Sequence, residues 1–347
     1  MPSTTRIIAT IAAPAALAIV IGVAPAALAQ DKTFDLKLSH WVPPTHPLQK
    51  ALEDWGSSIE KASNGTIKYK VFPAQQLGKA QDHYDMARDG IADVVYISPG
   101  YQPGRFPIID AGNLPFMIGE AKGGIAAVDE WYRKYAAQEM KDVKYCFAFI
   151  HDPGSFHSRT KKIMVPGDLK GMKIRPAHAT MATWVTQLGG TNVHASAPEI
   201  REVLEKGVAE AASLPWGSIP LLGIDKVTKY HMDAALYATS FTWLINRAKY
   251  EQMSPAQKKV IDDHCTTAWA VRAAGPWADF EHAGLAKLKA DPAREVYPIT
   301  PAQLAEWKQS AEPVVKAWAD GVRKAGVDPD GVLKELKATL AKHNAAY

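Results

Sequence analysis

Cysteine is nearly absent from this chain. Cys146 and Cys265 are the only two, 119 residues apart, too few and too scattered for a disulfide framework or a thiolate metal cluster. Whether the two pair with each other stays open at this level. An excess of one charge is also lacking: 40 basic against 36 acidic residues leave +4, with no basic stripe of the kind that grips nucleic acid. No nucleic-acid partner is expected. After the first thirty residues no stretch approaches 18 uninterrupted apolar residues, the minimum for a membrane-crossing helix. What is there is a globular composition, 47% hydrophobic over 347 residues, which excludes disorder and leaves room for two cores.

The N-terminus reads differently from the rest. Arg6 supplies a positive start, Ile7 to Val23 form an uncharged apolar stretch, and Ala27-Leu28-Ala29 offers small residues for a peptidase. Pro14 and Pro25 interrupt the run and weaken it as a membrane anchor. The pattern predicts an export signal, residues 1–29, cleaved after Ala29, and a mature protein in the periplasm.

Catalytic signatures are equally scarce. Gly154-Ser155-Phe156-His157-Ser158 lacks the second glycine of a nucleophile elbow, and no Gly-Lys-Ser/Thr phosphate loop occurs. The eleven histidines form no His-Glu-x-x-His, and His151 and His157 stand six apart in a loop, which is no ligand spacing. Asp93 and Glu210 are the strand-borne carboxylates a glycosidase would need, yet both also read as turn residues. No metal and no cofactor is expected.

The hydrophobic pattern alternates strands and helices. Phe34 to Ser39 alternates like a half-buried strand, Leu48 to Lys61 has helical spacing, and Thr66 to Phe72 follows the Asn64-Gly65 turn. A helix over Gln81 to Arg88 and a buried strand over Ile91 to Ser98 complete a first α/β unit. A second begins near Gly154, with a strand over Met172 to Arg175, a helix over Ala179 to Leu188, strand-like Val193-His194, a helix over Ala197 to Lys206 and a strand over Val208 to Leu214. Three or four amphipathic helices follow Phe241. Parallel sheets of this kind hold ligands beyond the carboxyl ends of their strands.

The segment from Asp168 to Pro176, Asp-Leu-Lys-Gly-Met-Lys-Ile-Arg-Pro, resembles a signature of the solute-binding proteins of tripartite ATP-independent periplasmic (TRAP) transporters, the DctP-like family. Phe72-Pro73, Gln76-Leu77-Gly78, Asp89 to Asp93 and Leu114-Pro115-Phe116 precede it in that family's order, and Pro198 to Val208 follows. The resemblance implies an α/β fold of two lobes, each a mostly parallel sheet flanked by helices, joined by crossing strands and a long helix. It places residues 30–152 plus 240–279 in the first lobe and 153–239 plus 280–347 in the second. It implies a receptor, a monomer that performs no chemistry, closing on a small organic acid and delivering it to the membrane permease. An exported hydrolase using His157, or a chemosensing module, is the alternative.

In that family the arginine ending the Lys-Ile-Arg strand, here Arg175, binds the ligand carboxylate, a role that suits its planar fork. Some members carry a second arginine where Ser155 stands here, with Arg159 out of register. Leu214-Pro215-Trp216 describes an apolar facing wall. Together these imply a monocarboxylate with an apolar, aromatic, 2-oxo or 2-hydroxy body. His40, Trp41, Ser98, Tyr101 and Phe241 fall at ligand-contacting positions of the family, with His157 beside the anchor. The packing of buried aromatics is the competing reading for Trp41, Tyr101, Trp216 and Phe241.

Overall fold

The computed structural model describes residues 1–5 and 32–347; the export-signal reading lies outside these residues. Lys32–Tyr347 contains two sheets. The first has strand order β2-β1-β3-β10-β4, formed by β1 (Phe34–Ser39), β2 (Ile67–Phe72), β3 (Val94–Ile97), β4 (Val143–Ile150) and β10 (Ser240–Asn246). The second has order β11-β9-β5-β8-β6-β7, formed by β5 (Ser155–Ser158), β6 (Lys173–Arg175), β7 (Thr191–Asn192), β8 (Ala211–Leu214), β9 (Tyr230–Asp233) and β11 (Glu295–Pro298).

Each sheet is parallel apart from one strand. β10 runs antiparallel to both β3 and β4, and β5 antiparallel to both β8 and β9. Those two strands have crossed from the other lobe: the chain leaves β4 through residues 151–154 into β5, and returns from β9 through residues 234–239 into β10. The two crossings lie side by side, tied by Gly154 N donating to Tyr237 O at 2.8 Å and Leu236 N to Gly154 O at 3.0 Å. All seven residues of β10 are buried, as a strand flanked on both edges and covered on both faces requires.

The third connection is the helix Thr267–Lys289, 23 residues long and hence about 34 Å. It packs on the helices Pro47–Ala62 and Ala121–Tyr132 and on β4 in the first lobe, and on Ser218–Leu221 and β11 in the second. A Cβ at Gly284 would stand 2.2 Å from Gly217 N, so glycine there lets helix and loop touch. Pro276 lies inside this helix and removes one of its backbone donors. Cys146 and Cys265 form a disulfide that joins β4 to the turn before the long helix. The C-terminal arm reaches both lobes. Helix Glu312–Lys324 packs on Ala179–Gln187, Trp318 Nε1 donates to Pro107 O at 2.8 Å, and helix Pro329–Lys342 packs on Ala121–Tyr132.

The elements form where pattern and caps agree. Helix Pro47–Ala62 starts at the N-cap His46 with proline in its first turn, and buries Leu48, Ala51, Leu52, Trp55 and Ile59 on one stripe. Two expected strands are shorter than their apolar runs. Gly90 takes a left-handed turn, Ile91 and Ala92 both donate to Met86 O, and Ile91 is exposed, so β3 begins only at Val94. Gly207 does the same before β8, leaving Val208 exposed and Ala209 bonded to Val203 O. The edge strand β7 falls at Thr191–Asn192 rather than at Val193-His194. Six helices follow Phe241 among the described residues, more than the three or four expected, because prolines at 255, 301 and 329 each start a new one.

Candidate functional site

Strand ends from both sheets converge with the crossings on one narrow cavity. The loop after β1 contributes Trp41 and Val42, β3 leads into Ser98 and Tyr101, and the start of helix Pro47–Ala62 adds His46 and Leu48. β6 ends in Arg175, and β8 runs into Leu214 and Pro215. The crossings contribute His151, Tyr237, Thr239 and Phe241, and the long helix Trp277. Phe241 packs edge-on to Trp277 at 5.2 Å and stacks toward Trp41 at 6.3 Å between ring centres, which makes one continuous aromatic wall.

Arg175 is 1% exposed. Its Nε donates to Ala195 O at 2.8 Å, with longer contacts from Nη1 to Ser213 O at 3.4 Å and from Nη2 to Tyr101 Oη at 3.3 Å. No carboxylate among the described residues pairs with it. A buried guanidinium without a counter-ion costs several kcal/mol, whereas an anion set against it recovers that cost. Tyr101 reaches it from the other lobe, and its hydroxyl also accepts from Ala197 N at 3.0 Å. One phenol therefore joins the two lobes at Arg175.

The remaining polar lining is neutral. Burial lowers His46 to about 3 and His151 to about 4, so Arg175 is the one cation facing the cavity among the described residues at neutral pH. Trp41 Nε1, Ser98 Oγ and Tyr237 Oη are buried without a partner. Buried polar groups are nearly always satisfied, so unsatisfied ones that converge on a cavity point to a polar occupant.

Five of the residues expected from the sequence thus line one space: Arg175, Trp41, Ser98, Tyr101 and Phe241. Four lie outside the lining. His40 turns to Gln49, with Nε2 at 2.5 Å from its Oε1. Ser155 sits opposite Leu214 in the β5–β8 ladder, buried within the sheet. His157 spends Nε2 on Leu214 O and Nδ1 on His231 Nδ1, both at 3.0 Å, which leaves it no free nitrogen for a hydrolase role. Trp216 packs edge-on to His157 at 5.0 Å and lines a separate groove with Asp152, Asp233 and His282. The glycosidase carboxylates are also spent elsewhere: Asp93 accepts from Lys37 N and pairs with Lys249, and Glu210 accepts from Lys173 N. Arg159 lies beside Gly207, off the lining.

Several lining residues were not expected at the site from the sequence, among them His46, Ser213, Tyr237, Thr239 and Trp277, with His151 weighed there only as a metal ligand. Trp277 sits mid-way along the helix Thr267–Lys289, which runs unbroken through Pro276, and its amphipathic pattern does not separate a cavity-facing aromatic from a core one. His151, Tyr237 and Thr239 come from the crossings, whose partners are remote in sequence, while His46 comes from a helix start and Ser213 from β8.

The family model for bacterial extracellular solute-binding protein, family 7 (DctP) matches residues 38–321. The chain belongs to this family. Solved structures place the family 7 fold in detail. A marine metagenome TRAP solute-binding protein specific for aromatic acid ligands, in complex with metahydroxyphenylacetate, is 33% identical with a TM-score of 0.83, covering 90% of this chain and 99% of that one. A TRAP solute-binding protein from Rhodoferax ferrireducens T118 in complex with copurified benzoate is 30% identical with a TM-score of 0.84 over the same shares. One from Bordetella bronchiseptica with bound (R)- and (S)-mandelate is 27% identical with a TM-score of 0.83, covering 89% and 99%. Among curated relatives, a solute-binding protein of Albidiferax ferrireducens is 25% identical over 59% of this chain and 62% of its own length. The two-lobed α/β fold implied by the sequence is the fold of these receptors. No helix among the described residues is long and apolar enough to cross a membrane.

Proposed function

We propose that this chain is the periplasmic receptor of a TRAP transporter and binds one small monocarboxylate with an aromatic or apolar body. The acid's carboxylate pairs with Arg175 and its body lies against Trp41, Phe241 and Trp277. The observation that carries this reading is the buried guanidinium without a carboxylate partner, set into an otherwise neutral aromatic cavity. Binding free energy then favours the closed arrangement of the lobes, in which Tyr101 meets Arg175 and Ala197, and the membrane permease selects that form. The protein carries its ligand without altering it. Relatives that hold benzoate, mandelate and metahydroxyphenylacetate support the ligand class. The disulfide suits an oxidising compartment.

A second carboxylate would have to be buried without a cation, at a cost of several kcal/mol. The test is a competition titration of benzoate, phenylacetate and mandelate against succinate and malate. The aromatic monocarboxylates are expected to bind more tightly; tighter dicarboxylates would show a second cationic group facing the cavity and overturn the ligand class.

A further inference from the structure

Hydrogen-bond direction in the cavity wall can be worked out atom by atom, beginning with His151. Its Nδ1 lies 2.6 Å from the carbonyl oxygen of Asp152. A carbonyl has only lone pairs, so Nδ1 carries the ring proton. Burial keeps the ring neutral, and Nε2 is therefore a bare acceptor. The Thr239 hydroxyl, 2.8 Å from Nε2, must be the donor in that contact. Its single proton is committed, and its remaining lone pairs have no other engagement. Thr239 lines the cavity and is 3% exposed.

The rest of the polar lining differs in sign. Arg175 and Trp41 Nε1 have protons to give and nothing to accept with. His46 Nδ1 accepts from Leu48 N at 3.1 Å, which puts its ring proton on Nε2 and makes that nitrogen a donor. Ser98 and Tyr237 hydroxyls serve either way, as does Ser213, whose Oγ accepts from Ala177 N at 2.7 Å. Tyr101 Oη, which accepts from both Arg175 and Ala197 N, has its proton left to give. Ser218 is bonded behind the wall to Glu281, whose carboxyl burial pushes up to about 7, so that contact runs in either direction. Thr239 is the lining side chain, among the described residues, whose polarity is fixed as acceptor.

We propose that the cavity selects acids bearing a hydroxyl that donates a hydrogen bond, and that Thr239 is the residue that reads it. This rests on the monocarboxylate reading above and adds to it a second recognition element. The carboxylate is met by donors, and the hydroxyl by the committed threonine. A ring hydroxyl and a 2-hydroxyl present the same donor chemistry, while an ether or a ketone at the same place presents lone pairs to lone pairs.

The test is calorimetry with phenylacetate as parent, 3-hydroxyphenylacetate and mandelate as the ring-hydroxyl and 2-hydroxyl arms, and 3-methoxyphenylacetate as the acceptor-only control. At least one hydroxylated acid is expected to bind roughly two- to tenfold more tightly than phenylacetate, the yield of one neutral hydrogen bond, and the methoxy acid less tightly. Thr239→Val should erase that preference, read as the ratio of hydroxylated-acid to phenylacetate affinity within the variant; Thr239→Ser, which keeps the hydroxyl, should retain it. Melting curves establish that both variants are folded. An undiminished preference in folded Thr239→Val, or a wild-type preference for the parent or methoxy acid, overturns the assignment. Phenylacetate binding that depends on Arg175 but shows no hydroxyl preference would overturn the inference alone. No binding of any of these acids would overturn the monocarboxylate reading with it.

Discussion

Replacing Arg175 with methionine separates what the residue does for the ligand from what it does for the fold. In the protein alone the guanidinium makes one good hydrogen bond, 2.8 Å to Ala195 O, and two long ones of 3.3 and 3.4 Å, which lie beyond the usual range. One good bond to a charged donor contributes about 1.5–3 kcal/mol, while a buried charge with no counter-ion costs several. The two roughly cancel, and methionine keeps most of the volume. The free variant should therefore melt within a few degrees of wild type, at roughly 2 °C per kcal/mol for a chain of this size, or slightly above it. Ligand binding should fall by about 2–5 kcal/mol, the range for removing one partner of a buried charge pair, which is roughly thirtyfold to several thousandfold. Differential scanning fluorimetry with and without benzoate reads both effects. The variant should keep its melting temperature and lose its ligand-induced rise. A large drop in the free variant with the rise intact would show Arg175 to be a structural support, and the reasoning would fail.

Three further outcomes follow from other parts of the molecule. Saturating ligand should reduce the radius of gyration in solution scattering, because the lobes meet through residues 151–154, residues 234–239 and the long helix; superimposable curves with a tight ligand would exclude closure. The Cys146–Cys265 bridge closes a loop of 119 residues, and its loss should lower unfolding stability by up to about 5 kcal/mol; Cys146→Ala/Cys265→Ala should show this in urea melts with ligand affinity nearly unchanged, since neither cysteine lines the cavity. Burial lowers His46, His157 and His178 to about 3 and His83, His151 and His231 to about 4. It raises Asp110, Glu139 and Glu281 to about 7 and Asp152 to about 6. Between pH 6 and 5 the unfolded chain protonates the six histidines while the native state holds protons on the four carboxyls, leaving about two more protons on the unfolded side. Stability should therefore fall on acidification from pH 6 to pH 5, by roughly 2–3 kcal/mol over that unit, and urea midpoints that stay flat or rise over that window would refute it.

Much of the architecture was legible because it is written in local pattern. The alternation of β1, the buried stripe of Leu48, Ala51, Leu52, Trp55 and Ile59 with proline at the helix start, and the turn before β6 each name their own structure. Arg175 was legible through the family resemblance carried by Asp168 to Pro176, and its place at the end of a short strand in an open parallel sheet agrees with the role that resemblance implies. The misplaced residues fail for a shared reason. His157 faces a neighbouring strand, and its pairing with His231 depends on β5 having crossed between lobes, which no spacing within residues 151–158 reveals. Trp216 is drawn toward the hinge side by the close approach of Gly217 to Gly284, 67 residues later. Trp277 and Thr239 reach the cavity only because a helix and a return strand come back to it, so their role is a property of topology rather than of their neighbours in sequence.

The most direct test of the account is a crystal structure of the protein with its tightest aromatic monocarboxylate. The account predicts one ligand per chain in the cavity, its carboxylate within hydrogen-bond distance of the Arg175 guanidinium and its ring against Trp41, Phe241 and Trp277. A ligand bound elsewhere, or held in the cavity with its carboxylate turned away from Arg175, would contradict it.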